Sequence, residues 1–206
     1  MEIERSTEMK ALTMRVIIII SIALIALSIL VLPGCFGGDG GEAKENVDEA
    51  IGLIGGSQEL LEDLLDLDGR FNTLGTRFPK MEDTIAEGKS LAEMAIIDVD
   101  ELESRYSKAR DLLLEVTNMN GAGDYAEYAR LAIEAVDKEL EALAVNRELL
   151  TAASDMLDVI PLAENQGQLS YYVEEIDRLT KEVSVLLDEG AEAAKRADLY
   201  YRERSL

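Results

Sequence analysis

Between Glu42 and Leu206 apolar residues recur at steps of three and four, and short runs of Gly, Pro, Asn and Asp divide the pattern into four stretches. The second, 80–118, is the most regular. Met81, Ile85, Gly88, Ala92, Ala95, Val99, Leu102, Tyr106, Ala109, Leu113 and Val116 alternate steps of four and three without a slip. That is the heptad seam of a helix wound along its neighbour. The fourth, 168–204, repeats the seam through Leu169, Val173, Ile176, Thr180, Val183, Leu187, Gly190, Ala194, Ala197 and Tyr201. The third runs from Asp124, a good N-cap, to Ile160 before Pro161, with Ile133, Val136, Leu140, Leu143, Leu150 and Leu157 on one side. The first, 42–74, carries Val47, Ile51, Ile54, Leu61, Leu64, Leu65 and Phe71. Gly55-Gly56 interrupts it, and Ser57 is placed to cap a restarted helix. No stretch alternates with a period of two, so no strand is predicted.

Long helices joined by short turns cover one another's apolar stripes only as antiparallel neighbours. The expected fold is all-α: an elongated, coiled-coil-like, antiparallel up-down four-helix bundle over 42–206, roughly 50 Å long at the helical rise per residue. In that topology the 118–124 turn and the C-terminus share the end at which the first helix begins. The 75–79 and 161–167 connections lie at the other end.

Upstream, Val16 to Leu32 contains only Val, Ile, Leu and Ala apart from Ser21 and Ser28, preceded by Lys10 and Arg15. A run of about 17 residues lies between a signal-peptide core and a membrane span. Glu2, Glu4 and Glu8 are unusual in such a leader, whereas a start at Met9 leaves none of them. The run closes on Leu32-Pro33-Gly34-Cys35, which holds the chain's single cysteine. This motif, at the end of an apolar segment, resembles the lipobox of prokaryotic lipoproteins, although Pro33 departs from the small or β-branched residue usual there. The resemblance implies that Cys35 carries a lipid and that the preceding peptide is removed. The alternative from the residues alone is an uncleaved signal anchor. Either way, 1–35 is a signal or anchor, 36–41 (FGGDGG) a flexible tether and 42–206 the bundle. The expected location is the cell membrane, lipid-anchored on the extracytoplasmic side.

Charge then narrows the partners. The 206 residues include 42 acidic and 20 basic ones, giving −22. Three of each precede Cys35, so the whole excess lies downstream. Such a surface repels phosphate backbones, so no nucleic-acid partner is expected. With no histidine and no cysteine beyond Cys35, the bundle lacks the parts for His-based di-iron, haem or zinc sites and for Ser-His or Cys-His nucleophiles. No cofactor, no metal and no catalysis are expected. Asp66-Leu67-Asp68-Gly69 and Asn118-Met119-Asn120-Gly121 start like calcium loops but lack the later ligands, so they are read as turns and caps.

Three features remain as candidates. Arg147 falls where the third seam expects an apolar residue, either paired with Asp63, Glu93 or Glu182 or snorkelling outward. Gly55-Gly56 and Gly190 are expected at one level of the bundle, as a small pocket or as a close approach filled by Leu140 and Leu143. Tyr125, Tyr128, Tyr200 and Tyr201 gather with Lys195, Arg196, Arg202 and Arg204 at the membrane-proximal end, either touching headgroups or capping the core and the C-terminal dipole of the last helix. The function expected is a non-catalytic envelope scaffold or docking module that binds a protein partner or itself. The alternative is a small-ligand sensor working through a membrane partner, since no second apolar span follows the bundle.

Overall fold

The computed structural model describes residues 41–77, 80–161 and 166–206. The leader with Leu32, Pro33, Gly34 and Cys35, and the tether except Gly41, lie outside the described residues. Every regular element within them is an α-helix: α1 (Gly41–Gly55), α2 (Gln58–Arg77), α3 (Met81–Asn118), α4 (Asp124–Val159) and α5 (Gln166–Arg204). The all-α bundle is what the heptads predict. α1 and α2 are the broken first helix.

The helices pack as two compact units. The first takes Glu62–Val99 and Val145–Ser184; the second takes the described part of Ala26–Leu61 with Asp100–Ala144 and Val185–Leu206. In the second unit Asn46 donates to Glu115 and Arg105 donates to the Gly56 carbonyl. Moving up α1 therefore moves down α3. Asp124 meets Tyr200, Glu134 meets Arg196 and Lys138 meets Glu189, the same antiparallel run for α4 and α5. In the first unit Arg70 of α2 reaches Glu87 across the connection to α3, and Lys89 of α3 pairs with Asp158 of α4.

The seam of α3 is buried at every predicted position from Gly88 to Val116, while Met81 is 45% exposed at its frayed start. That of α5 is buried from Ile176 to Tyr201. Small residues let the backbones close up. A Cβ on Gly88 would lie 2.8 Å from Leu157 Cδ1, so the Leu157 side chain of α4 packs directly on the α3 backbone there.

At the break, Gly56 N–H bonds to the Gly52 carbonyl at 2.8 Å and Ser57 N–H to that of Ile54 at 3.1 Å. Ser57 is fully buried, and its hydroxyl donates to the Leu53 carbonyl at 2.9 Å. The hydroxyl thus closes α1, while the Ser57 carbonyl accepts from Leu61 N–H at 3.1 Å and opens α2, the starting position the sequence pattern gives it. The Asp66–Gly69 segment is not a turn. It lies inside α2, with Asp68 buried. Asn118–Gly121 is a turn, with Gly121 at φ 87° and the Asn118 amide donating to the Leu114 carbonyl.

Candidate functional site

On α4 the buried positions form three heptad columns. The first is Ala129, Val136, Leu143, Leu150 and Leu157; the second is Ala132, Glu139, Asn146 and Ala153; the third is Tyr128, Ala135, Ala142, Leu149 and Met156. The sequence pattern places Ile133, Leu140 and Arg147 in that second column, and the structure moves it by one residue. Ile133, Leu140 and Arg147 are half-buried on its flank. A step from 136 to 139 and a step from 136 to 140 are equally helical. The apolar Leu140 favours the wrong one.

The consequence is a buried carboxyl. Glu139 is 4% exposed, and its Oε2 has no hydrogen-bond partner. Opposite it, on α5, stands Gly190. A Cβ there would lie 3.2 Å from Glu139 Oε1 and 3.4 Å from Lys138 Cβ. Glu139 thus occupies the space left by the missing side chain, in place of the expected Leu140 and Leu143. Tyr106 of α3, 1% exposed, senses the same carboxyl, and burial with that neighbour pushes its phenol far above the usual range. Burial alone pushes Glu139 up to about 8, because the charged form would lose water with nothing in exchange. Arg105, next to Tyr106, holds the Gly56 carbonyl at 2.6 Å. The helix break, Tyr106, Glu139 and Gly190 therefore share one level of the second unit. The close packing is at Gly190 against Glu139; no other helix comes within 4 Å of a Cβ position at Gly55 or Gly56.

In the first unit Asn146 is 1% exposed, and neither side-chain polar atom has a hydrogen-bond partner. Beside it, Arg147 lines a shallow groove with Glu148, Thr151 and Asp155 of α4 and Tyr171, Tyr172 and Glu175 of α5. Of the partners expected for Arg147, Glu182 is taken by Arg178 at 2.7 Å. Tyr171 is 62% exposed and stands edge-on to Tyr172.

The tyrosines and cations predicted for the membrane-proximal end are placed together in the second unit, in different roles. Tyr128 and Tyr201 are buried against each other, ring centroids 5.1 Å apart, and close the core. Tyr200 donates to Asp124 at 3.1 Å, and the Arg204 guanidinium lies 5.4 Å from its ring centre. Arg196 pairs with Glu134 and Arg202 with Asp198, both at 2.9 Å. Lys195 is exposed beside them.

These groups give no nucleophile with its base. Among the described residues no three His, Cys, Asp or Glu side chains converge on a metal position, and no helix is long and apolar enough to cross a membrane. No protein-family model, curated protein or solved structure matches this chain.

Proposed function

We propose that this is an exported helical module, held to the extracytoplasmic face of the cell membrane by lipid on Cys35, that acts without catalysis as an envelope scaffold or docking partner. The observation that carries this reading is where the second unit gathers its ends. Lys44 lies within electrostatic reach of Tyr125 and of Tyr201, and Tyr200 bonds to Asp124, so the start of α1, the 118–124 turn and the C-terminal turn of α5 lie together. α1, which follows Cys35 in the chain, starts at that end. From it the helices carry an apolar seam inward and an acidic surface outward, a surface that favours cationic protein partners over anionic lipid or nucleic acid.

The test combines Cys35→Ala with crosslinking in intact cells and mass spectrometry. Wild type is expected to incorporate labelled fatty acid and to crosslink to a protein neighbour or to itself. Cys35→Ala is expected to lose the label. Recovery of lipid alone overturns the docking role, and an unlabelled wild type that keeps its leader overturns the lipid anchor. The Arg147, Tyr171 and Tyr172 groove of the first unit supports a second reading, a small-ligand sensor, with the site away from the glycine level, where Glu139 already fills the space.

A further inference from the structure

Glu139 is the buried carboxyl of the second unit among the described residues, and its chemistry conflicts with its place. A carboxyl at a heptad core position, 4% exposed and with an unpartnered oxygen, packs well only while it carries its proton. The groups around it offer no charge to hold the ionised form. On α3 the facing group is Tyr106, whose phenol stays neutral. One turn further along that helix, Arg110 is committed to Asp137. On α5 the facing residue is Gly190, and its neighbour Glu189 is bound to Lys138 at 3.1 Å. On α4 itself Lys138 is shared between Glu141 and Glu189. At the α1 end of this level stand Ile54, Gly55, Gly56 and Ser57, none of them ionisable. Burial accordingly is the only cause acting on the Glu139 carboxyl, with a midpoint near 8.

The weak point beside it is equally specific. At Gly190 itself α5 offers no side chain to the α4–α5 seam, and the atoms nearest the position of its missing Cβ are those of the Glu139 carboxyl and Lys138 Cβ. Outside lies the exposed Lys138–Glu189 pair, which is a weak clamp in water. We propose that Glu139 and Gly190 form a proton-gated latch: with Glu139 neutral the α4–α5 seam of the second unit is shut, and loss of that proton opens the seam at this level to water. The proton leaves to solvent, and the carboxylate gains the hydration that the closed seam denies it. The device is independent of the docking role and holds for the chain with or without its lipid.

The experiment is pH-resolved hydrogen exchange on the 42–206 bundle within the full chain, corrected for the intrinsic pH dependence of exchange, together with carbon-13 NMR of the Glu139 carboxyl. In wild type the opening constant of the segments around 136–143 and 187–194 is expected to rise about tenfold per pH unit up to about pH 8 and then level off. Glu139→Gln removes the titration and is expected to flatten that profile. Tyr106→Phe, which keeps the carboxyl, is expected to retain the slope and shows that a flat profile is not a general effect of core substitution. A wild-type slope matched by Glu139→Gln overturns the latch. So does a carboxyl midpoint in the ordinary glutamate range with those segments still protected, a measurement that needs no variant to fold.

Discussion

α3 and α4 face each other along most of their length, and they treat the same heptad geometry differently. The inward face of α3 holds nothing but apolar residues and Tyr106 from Gly88 to Val116. The inward face of α4 has Glu139 and Asn146 one heptad apart among alanines and leucines. The α3 face is built for stability. The α4 face gives up stability at two positions, and buried polar groups of this kind act on register and switching more than on free energy. The contrast puts the buried Glu139 and Asn146 on the helix whose apolar pattern is less regular.

Breaking the regular face has the largest expected effect. Leu113 is 1% exposed on α3, and Leu113→Ala is expected to lower the unfolding free energy by about 2–5 kcal/mol, read from urea denaturation. Next is the polar face. Below about pH 4.5 folded and unfolded chains both hold the Glu139 proton. As pH rises from there to about 8, the unfolded chain releases it while the folded chain keeps it, so stability falls, and above 8 the loss is complete. Glu139→Gln is therefore expected to be more stable than wild type by about 3 kcal/mol at pH 7, with the difference vanishing near pH 4.5. Equal pH profiles for the two proteins would show that the faces do not differ in this respect.

Asn146→Leu removes two buried polar atoms that no partner satisfies. It is expected to raise the denaturation midpoint by an amount corresponding to about 1–2 kcal/mol, at the cost of a less singular helix register visible as doubled amide resonances. The smallest effect belongs outside the core. Arg202 and Arg204 to Glu is expected to leave the unfolding midpoint unchanged, because exposed pairs contribute little. The same change is expected to reduce the protection of α5 on bilayers if the membrane-proximal end rests on headgroups. Unchanged exchange would leave these cations as dipole partners of the helix end.

Much of the fold was legible because the period is a local property. The seams of α3 and α5, the break at Gly55-Gly56 and the Asp124 start all follow from spacing and backbone chemistry. The candidate site was only half legible. Gly190 and the helix break were expected at one level, and Tyr106 was expected in the seam. Glu139 was missed because a rotation of α4 by one residue exchanges it with Leu140, and apolarity alone argues for the leucine. Ala132 and Ala153, one heptad outside Glu139 and Asn146, are the signal that could have identified the column. Small residues there mark the face pressed against neighbouring backbones.

By itself, then, the amino-acid sequence determined the helical class, the antiparallel order, the acidic exterior and the resemblance at Cys35, all of which depend on near neighbours along the chain. Tertiary structure alone decided which way α4 turns, which tyrosines are buried, and that a carboxyl fills the space over Gly190. Those outcomes depend on the fit of several helices at once, where side-chain volume at one residue and its absence at another, distant in sequence, set the rotation that closes the core.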